Sequence, residues 1–252
     1  GEVHRKKSFL RRLFDYITDS KLKWNKMNET YDRIIFPDKS YDFTAPRSQF
    51  VADMKKHFPD EAKAIDKYME LLDEVYKVGK KYFTGKVFSG ISGKFITPIL
   101  SKPFQKYSNK TTKEVILSLT DNKELLGVLT GQWGDYGLPP SESSFVMQAM
   151  IARHYLDGGN FPVGGSKSIA ESIVPIIEEQ GGRVLLGKGV DEIIINKGKA
   201  VGVRMENGDE LMAPIIVSSA GVANTLGKFL RHEPSLVNYN KNLSTVKPST
   251  SY

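Results

Sequence analysis

The sequence predicts a mixed α/β protein. Two observations carry that expectation. From Ser8 to Ile151 the apolar residues recur mostly at helical spacing, with one short β segment among them. From His154 to Gly221 the pattern changes. A glycine-punctuated opening leads into an amphipathic helix, a Gly-Gly stop, a short apolar strand, a β-meander and a second apolar strand.

The chain has 252 residues, enough for one large domain or two modest ones with a sizeable core. Hydrophobic residues make up 40% and charged residues 26%, an ordinary globular composition. The net charge of +7 permits nucleic acid, anionic lipid or an anionic cofactor and selects none of them. Cysteine is absent, which excludes disulfides, thiolate metal sites and a cysteine nucleophile. The histidines, His4, His57, His154 and His232, stand at no metal-ligand spacing, so no metal site is expected. No apolar run approaches the roughly 20 residues of a membrane span. The first residues, GEVHRKKSFLRRLF, contain no signal-peptide core. A cytoplasmic protein is expected, or one lying peripherally on a cytoplasmic membrane face.

In chain order, Ser8 to Asp19 places Phe9, Leu10, Leu13, Phe14 and Ile17 at helical spacing among arginines. It is expected as an amphipathic helix packing its apolar stripe, with a basic interfacial helix as the alternative. Tyr31 to Phe43 is strand, turn and strand around Pro37-Asp38-Lys39-Ser40. Pro59, Asp60 and Glu61 open a helix whose buried face carries Ile65, Met69, Leu72 and Val75. Lys86 to Tyr107 is apolar and lysine-dotted, and Gly90, Gly93, Pro98 and Pro103 argue against one regular helix. An irregular cap over a lipophilic pocket, a membrane-contact loop and a plain connecting segment all suit it. Thr111 to Glu114 is a capping box, Asp121 could cap a further helix, and Phe145, Val146, Ala149, Met150 and Ile151 mark another.

In the His154 to Gly221 stretch, Tyr155-Leu156 is expected as a short strand that turns at Gly158-Gly159. Ser168 to Glu171 is expected to cap the next helix, which Gly181-Gly182 ends. Pro175 lies inside that helix and should bend it. Arg183 to Leu186 and Pro214 to Val217 are expected as apolar, buried-type strands. Between them, Val190 to Ala213 forms the meander, with a type I′ hairpin at Asn207-Gly208. The turn Ser218 to Gly221 precedes a helix from Asn224.

These residues resemble the carotenoid desaturase, carotenoid isomerase and retinol saturase group of the amine-oxidase-like FAD superfamily. The matching pieces are His154-Tyr155, then Gly158-Gly159-Asn160-Phe161-Pro162-Val163-Gly164-Gly165 for the group's Tyr-Pro-x-Gly-Gly, then Gly181-Gly182-Arg183-Val184, Val190, and Val217 to Gly221. Phe161 replaces the group's Tyr. Trp24, the Tyr31 to Phe43 hairpin and the Phe58-Pro59 helix also resemble the group's substrate domain.

The resemblance implies a substrate or cap domain over 1–160, the middle of a Rossmann-like FAD-binding domain over 161–235, and a return toward the substrate domain over 236–252. It implies that the backbone of Val190 meets the adenine end of FAD and that Ser219, Ala220 and Gly221 lie beside the phosphates. It further implies that His154, Tyr155, Phe161, Pro162, Gly164 and Gly165 border the flavin and substrate cavity. A flavin carries hydride chemistry itself, so few protein acids or bases are required. No catalytic residue is assigned. The group's G-x-G-x-x-G and its C-terminal Gly-Asp segment are not in this sequence. A piece of a longer flavoprotein is therefore expected, binding FAD weakly or not at all by itself. The function implied is hydride transfer or isomerisation on a long apolar polyene or similar lipid. The alternative is a non-catalytic module for lipid or a membrane surface. Nucleic acid ranks last, because the lysines are dispersed and no binding motif is present.

Overall fold

The computed structural model describes residues 2–86 and 90–246. The described residues divide into two compact units, one up to Ile176 and one from Ile177 onward. The boundary falls in the last turn of the helix Lys167–Glu179.

The first unit opens with α1 (Phe9–Ile17), capped by the Ser8 hydroxyl, which accepts from the Arg11 amide at 3.1 Å. Strand β1 (Trp24–Lys26) follows, then β2 (Thr30–Ile35) and β3 (Ser40–Thr44), which form the expected hairpin. Helix α2 (Arg47–His57) and the long α3 (Ala62–Gly85) pack their apolar faces together, with Met54, Ile65, Leu72 and Val75 fully buried. Then come α4 (Gly90–Ser108), α5 (Thr112–Leu117), α6 (Lys123–Leu129) and α7 (Phe145–Tyr155). The short strand β4 (Asn160–Pro162) pairs antiparallel with β1, and α8 (Lys167–Glu179) follows it. One core joins the hairpin, α2, α3 and α5 to α7, with Tyr41, Phe43, Tyr68, Ile116, Leu125 and Phe145 among its members.

Several local expectations hold and several are corrected. The Thr111/Glu114 capping box is complete, each partner bonding the other's backbone. At α6 the cap is Asn122, not Asp121; its Oδ1 accepts from both the Glu124 and Leu125 amides at 3.0 Å. The stretch expected to be irregular is helical as α4, with Pro98 and Pro103 inside it. Tertiary packing explains the persistence. Phe104 stacks on Tyr82 at 4.1 Å, and Gly85 lets Leu100 approach so closely that an added Cβ would lie 3.1 Å from it. Phe88 and the side chains of Ile91, Phe95 and Ile96 lie outside what is described. Tyr155 ends α7 and Leu156 follows in a turn, so these residues form no strand; Leu156 completes the helix's buried face instead. In α7, Phe145, Val146, Ala149 and Gln148 are buried, whereas Met150 is exposed.

The second unit is built on an antiparallel meander, β5 (Val190–Asn196), β6 (Lys199–Met205) and β7 (Glu210–Met212). The type I′ turn sits at Lys197-Gly198, whose φ values are +48° and +75°. At Asn207-Gly208 only Gly208 has positive φ, because four residues rather than two connect Met205 to Glu210. The two flanking apolar segments, 183–186 and 214–217, are not strands. Leu186, Ile215 and Val217 are 86%, 77% and 88% exposed. A lone extended segment gains no ladder, and neither segment has a hydrogen-bonded neighbour strand among the described residues. A π-helical segment (Asn224–Phe229) and α9 (Val237–Leu243) complete the unit.

Candidate functional site

The residues expected to matter fall in two places, one in each unit. In the first unit, glycine backbone builds the site. Gly158 is left-handed (φ +84°), and a Cβ there would meet the Ala45 methyl at 3.3 Å. A Cβ on Gly159 would lie 3.1 Å from Met27 Sδ. This close approach lets β4 lie along β1 in the register Trp24↔Pro162, Asn25↔Phe161 and Lys26↔Asn160. The ladder is extended at both ends by Met27 N to Gly159 O at 3.0 Å and Val163 N to Lys23 O at 2.9 Å.

Period-two alternation puts Trp24, Lys26, Asn160 and Pro162 on one face of this ladder and Phe161 on the other. Pro162 is buried and Phe161 exposed. Trp24 Nε1 and Asn160 Nδ2, diagonal neighbours on the face that carries Pro162, are both shielded donors with no hydrogen-bond partner among the described residues. A buried donor without an acceptor costs about 1–3 kcal/mol, so this face is suited to a group rich in acceptors. Gly164 and Gly165 then turn the chain with φ +88° and +90°. The turn starts α8 at Lys167. Ser168, expected as its cap, lies inside the helix and donates to Gly165 O at 2.7 Å.

His154 and Tyr155 end α7 with their rings edge to face at 5.2 Å, and Tyr155 stacks on Tyr31 at 6.0 Å. Burial raises the Tyr155 phenol, with Asp135 and Asp32 adding to the effect. Burial also holds the Asp135 carboxyl above the usual range, reinforced by Asp32. This acidic pair was not singled out in the sequence, because Asp32 and Asp135 stand about a hundred residues apart and meet only in the fold.

In the second unit, Val190 begins β5 opposite Met205. Beside it lies a cleft of about 310 Å³ lined by Gly187, Lys188, Gly189, Met205, Glu206 and Asn207. Ser219, Ala220 and Gly221 are exposed. Gly221 is left-handed at φ +84°, and nothing lies within 4 Å of a Cβ placed on it. The turn is held from below: Asn224 Nδ2 donates to Ala220 O at 2.9 Å, and Thr225 Oγ1 donates to Gly221 O at 2.8 Å. The helical segment after the turn packs on β5, and Arg231 locks the two together. Its Nη1 donates to Asp191 O at 2.9 Å and its Nη2 to Asp191 Oδ2 at 2.8 Å. Asp191 is held below the usual carboxylate range, chiefly by that hydrogen bond. Nothing in the sequence signalled Arg231, which sits forty residues from its partner. Among the described residues, no group of His, Asp and Glu is placed to hold a metal ion.

No protein-family model matches the chain. By structure it is similar to an oxidoreductase from Methanosarcina mazei, with a TM-score of 0.60 and 18% identity over 94% of this chain and 51% of that one. That likeness defines the class of fold, a mixed α/β chain with a partial Rossmann-like domain. By sequence, the chain is 34% identical over 238 residues to the all-trans-retinol 13,14-reductase of Danio rerio, covering 89% of this chain and 39% of that protein. It is 31% identical over 273 residues to an inactive all-trans-retinol 13,14-reductase of the same organism, covering 100% of this chain and 43% of that protein. A prolycopene isomerase of Daucus carota is 43% identical over 81 residues, or 32% of this chain and 13% of that protein. These similarities support a retinol saturase and carotenoid desaturase-like group. It spans about two fifths of the length of the retinol reductases it matches.

Proposed function

We propose that the chain supplies the substrate-binding part (1–160) and the middle of the FAD-binding part (161–235), with 236–252 beginning the return, of a flavin-dependent oxidoreductase acting on a long apolar polyene. The observation that carries this reading is the similarity to retinol 13,14-reductases along almost the whole chain. A bound flavin supplies the two-electron hydride chemistry.

The chain's own residues suit the roles the family gives them. Val190, at the start of β5, offers backbone to the adenine end. Ser219, Ala220 and Gly221 offer an open approach for phosphates, and the left-handed Gly221 has no side chain to obstruct it. His154, Tyr155, Phe161, Pro162, Gly164 and Gly165 border the cavity for the flavin and a lipophilic substrate. The unsatisfied donors Trp24 Nε1 and Asn160 Nδ2 on the same ladder favour an acceptor-rich ligand there. The exposed apolar segments at 183–186 and 214–217 favour weak or absent FAD binding by this chain alone.

The test uses the complete gene product. It should purify with flavin absorbance and, with a chemical reductant, convert all-trans-retinol to a product that lacks one double bond. Flavin without conversion of retinol or of a carotenoid would remove the polyene substrate. Absence of flavin from the complete product would remove the whole reading. The relative named as inactive favours one second reading, a non-catalytic lipid-binding protein. Retinol binding without turnover in the flavin-loaded complete product is its signature.

A further inference from the structure

We propose that Trp24 and Asn160 are specificity-determining residues that receive a neutral oxygen atom at one end of the polyene. The inference rests on the reading above, that the Phe161 to Gly165 segment borders the polyene cavity, and adds which polyenes enter. The two donors come from neighbouring strands. β1 and β4 pair as Trp24↔Pro162 and Lys26↔Asn160, so Trp24 and Asn160 are diagonal on one face. Diagonal side chains stand about 7–8 Å apart, within reach of an indole, so both can converge on one atom. Trp24 Nε1 and Asn160 Nδ2 are shielded and have no hydrogen-bond partner among the described residues. An indole N–H donates and never accepts, so its partner must bring a lone pair. The Asn160 amide is more versatile: Nδ2 donates to an oxygen, and after a half-turn Oδ1 accepts a hydroxyl proton. An alcohol or carbonyl oxygen therefore answers both groups.

The surroundings narrow the occupant. Phe14 of α1 meets the Trp24 ring edge to face at 5.0 Å, and Pro162, opposite Trp24 in the ladder, is buried. Lys26, the cation on this face, pairs with Glu29 at 3.9 Å, so the face has little net charge to draw a carboxylate. A flavin ring presents several oxygens and nitrogens, more than two donors satisfy. One oxygen on a hydrocarbon chain matches two donors in an apolar surround.

The shield over the pair is light. No side chain of α1 is buried, and the chain leaves the helix through Asp19 and Ser20, both left-handed at φ +50° and +57°. A ligand that displaces Phe14 therefore displaces little packing. Two shielded donors without acceptors weaken the unliganded fold. An oxygen that satisfies them recovers that cost on binding, and a hydrocarbon end does not. Selectivity for an oxygen-ended polyene follows from this difference.

The test uses the complete gene product with its flavin oxidised, so that binding is read without turnover. The ligands are all-trans-retinol and its deoxy analogue, in which a methyl group replaces the carbinol. Bound polyene is measured by absorbance after equilibrium dialysis. Retinol should bind at least about tenfold more tightly than the deoxy analogue. Asn160→Leu and Trp24→Phe should each remove most of that preference by weakening retinol alone. Asn160→Leu removes a donor that has no partner in the protein, so it should also raise the thermal midpoint by about 2 °C. Loss of a structural hydrogen bond would lower it. If Trp24→Phe fails to fold, Asn160→Leu and the unaltered protein decide. Equal affinity for the two ligands, a preference kept in the folded variants, or a lowered midpoint in Asn160→Leu would overturn the proposal. So would loss of flavin from the variants with both ligands still bound alike, which would assign the donors to the cofactor. Each of these results leaves the polyene oxidoreductase reading standing; that reading falls only if the unaltered complete product lacks flavin or polyene conversion.

Discussion

Arg231 holds Asp191 by two hydrogen bonds, one to its backbone carbonyl at 2.9 Å and one to its carboxylate at 2.8 Å. Because one bond goes to the main chain, the contact fixes where β5 begins as well as where a side chain points. It joins the strand that starts at Val190 to the chain just beyond the Ser219–Gly221 turn. The two segments with proposed cofactor contacts are thus tied by one guanidinium.

This tie is pH-dependent, with a definite sign. The Asp191 carboxyl is held below its ordinary range by Arg231. A depressed carboxylate contributes stability that is fully present above the unfolded-state pKa and lost as pH falls through the folded-state value. Amide exchange at Asp191 to Ile193 should therefore quicken on acidification below the ordinary carboxylate range. Asp191→Asn should show the fast rate already at neutral pH and respond little to acid. Arg231→Gln, which also removes the bond to the Asp191 carbonyl, should be at least as fast, and adding Asp191→Asn to it should change nothing further. Additive effects would show that the two residues act separately.

Gly202 sits where β6 faces β7. A Cβ there would lie 2.7 Å from the Leu211 carbonyl oxygen and 3.2 Å from the Met212 Cα, both backbone atoms. Backbone cannot rotate away as a side-chain tip can. Gly202→Ala should destabilise the second unit by about 1–3 kcal/mol, read as a lower midpoint in urea and early loss of β7 amide protection.

Gln148 is fully buried, and its amide is fully used. Nε2 donates to Leu129 O at 2.8 Å and Tyr68 Oη at 3.3 Å, while Oε1 accepts from Tyr136 Oη at 2.8 Å. Gln148→Ala leaves a cavity and strands these partners. A loss of about 3 kcal/mol in unfolding free energy is expected. A loss below about 1 kcal/mol would mean that water replaces the amide.

Gly165 has φ +90° and no atom within 4 Å of a Cβ position. Gly165→Ala therefore meets no steric obstacle and suffers only the left-handed backbone penalty, about 1–2 kcal/mol. Phe161→Tyr, which restores the family's residue on an exposed side chain, should shift thermal stability by less than about 0.5 kcal/mol. Calorimetry on the two variants separates backbone cost from side-chain identity.

Patterns short enough to be decided by neighbouring residues were legible in the sequence. The Thr111/Glu114 box, the Tyr31 to Phe43 hairpin, the buried face of α3 and the stop at Gly181 follow from local chemistry, and the family motif was readable for the same reason. Only the tertiary structure decided the rest. The α4 segment keeps its helix through two prolines because Tyr82, Gly79 and Gly85 give Phe104 and Leu100 a surface that outweighs the lost amide bonds. Gln148, Asp135 and Arg231 owe their roles to partners far away in sequence, which no periodicity encodes. The segments at 183–186 and 214–217 carry strand-forming residues, yet a strand exists only where another strand lies beside it. Strand propensity is local in sequence, whereas the pairing that realises it belongs to the fold.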